Sequence, residues 1–303
     1  DVSVESLVAQ AGQSLTGSSV NNTANAGGIY ISESDDQADG FRLIDVDTSN
    51  GNIDLRSTGN VTIDSDDPAT TDASVSGRIE NVTAGNVDRT AAGNGNVTIT
   101  AGGTIQENTP AGGTATDTNI DAEGDQVALV AGGDVGASNA APLDIESANL
   151  VGQIDTANPG GFFVRDATEN LTINSFAVPG ITPALVTGAV AGDPLPGIST
   201  FDGAIDVLAD GHNAAGAAGT EGVMTVTGLI ATDQGTVEGS TVTLAGREIR
   251  FANLVVPVAA SGGILDTDVI DLLADQGIFL DQTALFTFRT ATGSNGRVSF
   301  GQF

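Results

Sequence analysis

Apolar residues return along this chain at alternate positions, in short runs that end at a small residue or a glycine. Val97, Ile99 and Ala101 lead into Gly102, Gly103 and Ile105; Val127, Leu129 and Ala131 lead into Gly132, Gly133 and Val135. Ile53, Leu55, Ser57, Gly59 and Val61 fit the same frame, as do Ile270, Leu272, Ala274, Gly277 and Ile278. Looser copies begin at Ile205, Val207, Ala209 and at Val242, Leu244, Gly246. Alternation at period two marks a strand with one buried face. A strand, a glycine corner and a second short strand, repeated, mark a chain that coils and stacks on itself.

Further strand-like runs lie at residues 29–32, 41–46, 61–63, 162–165, 171–173, 223–226, 248–251, 278–280 and 285–288. No long segment offers apolar residues at helical spacing. The pattern therefore predicts an all-β fold, a parallel β-helix (a solenoid). Equivalent strands would stack about 4.8 Å apart, so that like side chains form ladders. Turns of roughly 20–30 residues predict about 10–14 levels and a rod on the order of 50–65 Å long. An array of antiparallel sandwich modules is the competing architecture, but its strands run longer and lack the constant cassette.

Two tracts interrupt the pattern. Residues 177–199 hold four of the nine prolines, Pro179, Pro183, Pro194 and Pro196. Proline cannot donate to a strand ladder, so this tract reads as a loop excursion. Residues 209–221, rich in Gly and Ala, read as a second surface loop. Polar insertions fall at 65–77 and 107–118. No composition shift marks a domain boundary, so residues 1–303 read as one elongated segment. The chain starts at Asp1 and shows no signal peptide, as expected for a slice of a longer protein.

The stretch from Gly95 to Ile105 (GNVTITAGGTI) resembles the repeats of filamentous-haemagglutinin-like bacterial exoprotein adhesins. So do Val127 to Gly136 (VALVAGGDVG), Pro142 to Ile145, Ala148 to Leu150 and Gly161 to Asp166. The resemblance covers residues 50–175 well and 200–300 loosely, and it lies in repeats, not in a catalytic motif. It implies a right-handed parallel β-helix, secretion to the bacterial cell surface or medium, and a role in adhesion. Its N-terminal secretion domain is not recognisable in this chain.

Charge narrows the partners. The chain carries 39 acidic residues against 9 basic ones, all Arg, for a formal net charge of -30. Nucleic acid and anionic membrane surfaces need a basic face and are not the expected partners. No apolar run is long enough to span a bilayer as a helix. With 40% hydrophobic residues the chain is too apolar for disorder. Cysteine is absent, which removes disulfides, thiolate metal sites and cysteine nucleophiles.

Candidate chemistry is sparse. Asp35, Asp36 and Asp39, and Asp64, Asp66 and Asp67, offer oxygen ligands in short loops, so calcium is the only cofactor candidate. Neither cluster follows an EF-hand loop or the RTX nonapeptide, and the plainer reading is acidic loops that keep a rod soluble. Glycoside hydrolysis needs two acids facing one groove; Asp54 with Asp64, or Asp206 with Asp271, are candidates that so many acids produce by chance. Arg247 and Arg250 are the close basic pair that a lyase acting on acidic sugars would want. His212 is the sole histidine, too little for a triad or a histidine metal site. Asn21, Asn60, Asn81, Asn96 and Asn170 open Asn-x-Thr triplets, which corner Asn and outward Thr also generate. Phe162 with Phe163, and Phe286 with Phe288, are placed as aromatic pairs on one strand face, for a core ladder or a carbohydrate platform.

The expectation is a non-enzymatic, extracellular adhesive or fibre-forming rod. Its partners are cell-surface glycans, proteins or copies of itself. A β-helical polysaccharide lyase or glycoside hydrolase and a cation-bridged surface-layer or filament subunit are the alternatives.

Overall fold

In the computed structural model the alternating runs are strands that pair in parallel with their counterparts in the next turn of chain. The structure describes residues 6–11, 29–33, 41–48, 52–64, 79–80, 96–108, 119–154, 160–166, 170–183, 189–209, 222–232, 240–252, 263–267, 269–280, 287–290 and 297–301. Among them every regular element is a strand and none is a helix. The fold is all-β and its strands are mostly parallel. The exception among strand pairs is Phe176–Ala177 against Pro194–Leu195, which is antiparallel.

Three columns of strands result. The first runs Ile29–Glu33, Ile53–Ser57, Val97–Ala101, residues 127–131, residues 150–154, Gly197–Thr200, Leu229–Thr232, Gly263–Thr267 and Thr287–Thr290. The second runs from residues 41–43 through Val61–Asp64 to Ile105–Asn108. It continues through a bridge at Val135 to Phe162–Asp166, Ile205–Ala209, residues 242–246, residues 269–273 and Arg297–Gly301. The third links residues 46–47, Ile79–Glu80, residues 120–121 and 145–146. A further run, joined to the stack at residues 149–150, carries Asn170–Ile173, Val223–Val226, residues 248–251 and 277–280.

The first column holds nine described levels, about 38 Å at the usual strand spacing. That is fewer than the repeat length suggests. The connections are longer than the cassette implies: Ile53 stacks on Val97, and Gly152 on Ile198, while Val97 stacks on Val127.

The cassette explains itself at the corners. The N–H of Gly102 donates to Ser57 O, and that of Gly132 to Ala101 O, at 2.9 and 3.0 Å. A Cβ on Gly102 would collide with the carbonyl of Thr58, and one on Gly132 with the carbonyl of Gly102. Corners stacked this closely leave no room for a side chain. Asn60 braces the same corner, its Oδ1 accepting the Thr104 N–H at 2.9 Å.

Inside, Leu55, Ile99 and Leu129 stack in register and are fully buried, as are Ile205, Val242 and Ile270. Each such side chain contributes about 1.5–3 kcal/mol through burial. One level breaks the first ladder. Gly152 occupies the inward position next to Leu129, and the ring of Phe162 fills the space its side chain would take. At the level of Val298 and Phe300, inward positions become exposed, whereas their ladder neighbours Ile270 and Leu272 are buried.

The tract 177–199 is not one loop. Gly197–Thr200 is a wholly buried strand of the first column. Of the remainder, the described residues 177–183 and 189–195 fold back against the outside of that column, with Phe176–Ala177 antiparallel to Pro194–Leu195. Val178 and Leu195, with Phe176 and Ile181, pack on Ala128, Val130 and Val151. Residues 210–221, including His212, lie outside the described residues, as do Asp35, Asp36, Asp39, Asp66, Asp67, Asn21, Asn81 and Phe286.

Candidate functional site

With the inward positions committed to the core, a site among the described residues is built from outward positions and corners. The most elaborated outward surface lies on the second column at Phe162–Asp166. Adjacent strand residues face opposite ways, so Phe162 and Phe163 do not share a face as expected. Phe162 is fully buried in the core. Phe163 points outward, half-buried, its ring lying against Gly161 where a Cβ would strike it.

Two residues on, Arg165 forms a forked pair with Asp144. Its Nε donates to Oδ1 at 2.7 Å and its Nη2 to Oδ2 at 2.5 Å. The side chains are 19% and 7% exposed, so the pair is largely withdrawn from water and both partners depend on it. The backbone around it is held by further polar side chains. Asn119 Oδ1 accepts the Asp144 N–H at 2.9 Å, buried Asp166 accepts the Ser147 N–H at 3.1 Å, and Asp134 accepts the Gly161 N–H at 2.7 Å.

Asp206 is the register neighbour of Phe163 on the next level. Burial raises its pKa above the ordinary carboxylate value of 3.8. An outward aromatic ring, a partly desolvated carboxylate and a fixed Arg–Asp fork form a surface that can stack an apolar ring face and hydrogen-bond hydroxyls. The arrangement is suited to holding a ligand. It offers no nucleophile paired with a base.

Of the expected acid pairs, Asp206 and Asp271 share one outward row with Thr243 between them, two strand spacings or about 9.6 Å along the stack. Asp271 accepts a hydrogen bond from Ser299. Asp54 is engaged by Arg56, which donates to both its oxygens at 3.0 and 2.9 Å. Asp64 stands in a different column, stacked on Asn108. Arg250 is paired with Glu248 at 2.9 and 2.5 Å and lies 5.7 Å from the centroid of the Phe279 ring. Arg247 is half-buried at the bend between Gly246 and Glu248. Among the described residues no three of His, Asp or Glu gather to hold a metal, and no helix is long and apolar enough to cross a membrane.

Sequence reasoning missed the Asp144–Arg165 fork and singled out the wrong property of Phe163. The alternation itself carries the signal for Phe163, since Val164 is buried and its two neighbours must then face out. Nothing comparable locates Asp144, whose position opposite Arg165 depends on the length of the connection between them. No family model matches this chain, and no curated protein or solved structure matches it.

Proposed function

We propose that this chain is a segment of a right-handed parallel β-helix, a rod of the filamentous-haemagglutinin-like kind, with a structural and adhesive role at the bacterial cell surface or in the medium. The observation that carries this reading is the parallel stacking of strand on strand, nine described levels in the first column, which gives a stiff scaffold with outward positions free to vary. The net charge of -30 keeps such rods soluble and apart from one another and from anionic surfaces. In this reading the chain has no catalytic task. It presents repeated weak contacts whose combined avidity holds a partner. The Phe163–Arg165–Asp206 surface is the contact we favour, with cell-surface glycans or proteins as its class of partner.

The deciding experiment is a denaturing blot of the source cells and their medium, with an antibody to this segment, before and after treating intact cells with protease. A protease-sensitive or released species far larger than 30.1 kDa supports the reading. A protease-resistant band near that mass, retained inside intact cells, overturns it.

A further inference from the structure

The hairpin excursion does something that the strand columns cannot. In a stack, each level touches only the levels above and below it, so the levels can open one at a time from an end. Residues 176–183 and 189–195 follow the strand that ends at Ile173 and lie along the outside of the first column. Pro179 O accepts a hydrogen bond from Arg56 Nη2 at 2.9 Å, and Thr182 O accepts one from Gln153 Nε2 at 3.2 Å. Arg56, Thr100, Val130 and Gln153 occupy one outward row on four successive levels. The hairpin therefore spans three strand spacings, about 14 Å along the stack.

The packing matches these anchors. Ala128, Val130 and Val151 point away from the core and yet are 1%, 3% and 0% exposed, because Val178 and Leu195, with Phe176 and Ile181, cover them. The sequence is built for this placement: residues 174–192 contain no charged side chain, in a chain with 39 acids. Gly180 allows the turn, with a φ of +78° and Arg56 Nη1 3.0 Å from where its Cβ would stand.

We propose that residues 176–183 and 189–195 are a longitudinal clamp that ties the four levels at 53–57, 97–101, 127–131 and 150–154 into one unit, so that fraying from the N-terminal side stops at Ile53–Ser57. This inference rests on the strand register and the hairpin contacts alone, and it stands or falls independently of the adhesive reading.

The test is native-state amide hydrogen exchange on the full 303-residue chain, wild type against Val178→Asp/Ile181→Asp. Amides of 53–57, 97–101 and 127–131 are expected to exchange at least tenfold faster in the variant, with 242–246 and 270–274 unchanged. Arg56→Gln, which removes the far anchor only, is expected to speed exchange at 53–57 and leave 127–131 alone. Val190→Asp, at an exposed position of the hairpin, controls for the added charge. If the double aspartate variant does not fold, Val178→Ala/Ile181→Ala is read in the same way. Exchange that is unchanged in the three N-terminal strands, or accelerated equally in all five, overturns the clamp.

Discussion

The replacement of Gly152 by alanine tests the packing at its tightest irregularity. Gly152 sits at an inward position between Leu129 and Ile198, and the Phe162 ring occupies the missing side chain's volume. A Cβ there would overlap Cε2 and Cζ of the ring and lie 3.0 Å from Cδ2. Carbon atoms pack at about 3.5–4.0 Å, so the ring has to move by more than about 1 Å in a core with no slack. Overpacking of this kind costs about 1–3 kcal/mol. Phe162→Leu alone leaves a void and costs roughly 1–2 kcal/mol. In the double variant the leucine vacates the space that the new methyl needs, so the two costs partly cancel, with a coupling of at least about 1 kcal/mol. Urea denaturation of the four proteins, followed by far-ultraviolet circular dichroism, measures this, and an unchanged m-value shows that the same transition is being compared. A Gly152→Ala variant as stable as wild type, or costs that add to within about 0.5 kcal/mol, refutes the reasoning.

The remaining predictions concern the outward surface. Arg165→Ala removes the forked partner of a carboxylate that is largely withdrawn from water and should destabilise by about 2–3 kcal/mol, whereas Asp144→Leu/Arg165→Leu should recover most of that loss; both are read by urea midpoint. Asp206 has a raised pKa, so the folded state holds its proton to higher pH than the unfolded chain does, and the ionised group costs stability above that folded pKa. Asp206→Asn should therefore stabilise at pH 7, and the advantage should shrink as pH falls toward 3.8, as measured by paired urea titrations. Phe163→Ala should leave the fold intact and weaken attachment of the immobilised chain to a panel of glycans at least tenfold; unchanged attachment moves the contact surface elsewhere.

The alternating cassette determined the strands and their buried faces, because a pleated strand has only two sides and apolar side chains leave water on one of them. It determined the corners too, since Gly102 and Gly132 stand where adjacent backbones approach too closely for a Cβ. Composition added an acidic character and the absence of cysteine, which removes thiol chemistry. Which residues lie side by side on the surface was decided by the tertiary structure. Stacking brings together positions whose separation in sequence varies with the connections between levels, so Asp144 meets Arg165 and Asp206 lies beside Phe163 while Asp271 does not. The filling of Gly152 by Phe162, and the return of a proline-rich hairpin onto Val130 and Val151, follow from volumes and distances that exist only once the chain has coiled. Periodicity is a local property of the sequence and survives reading residue by residue; lateral adjacency is a sum over every turn in between.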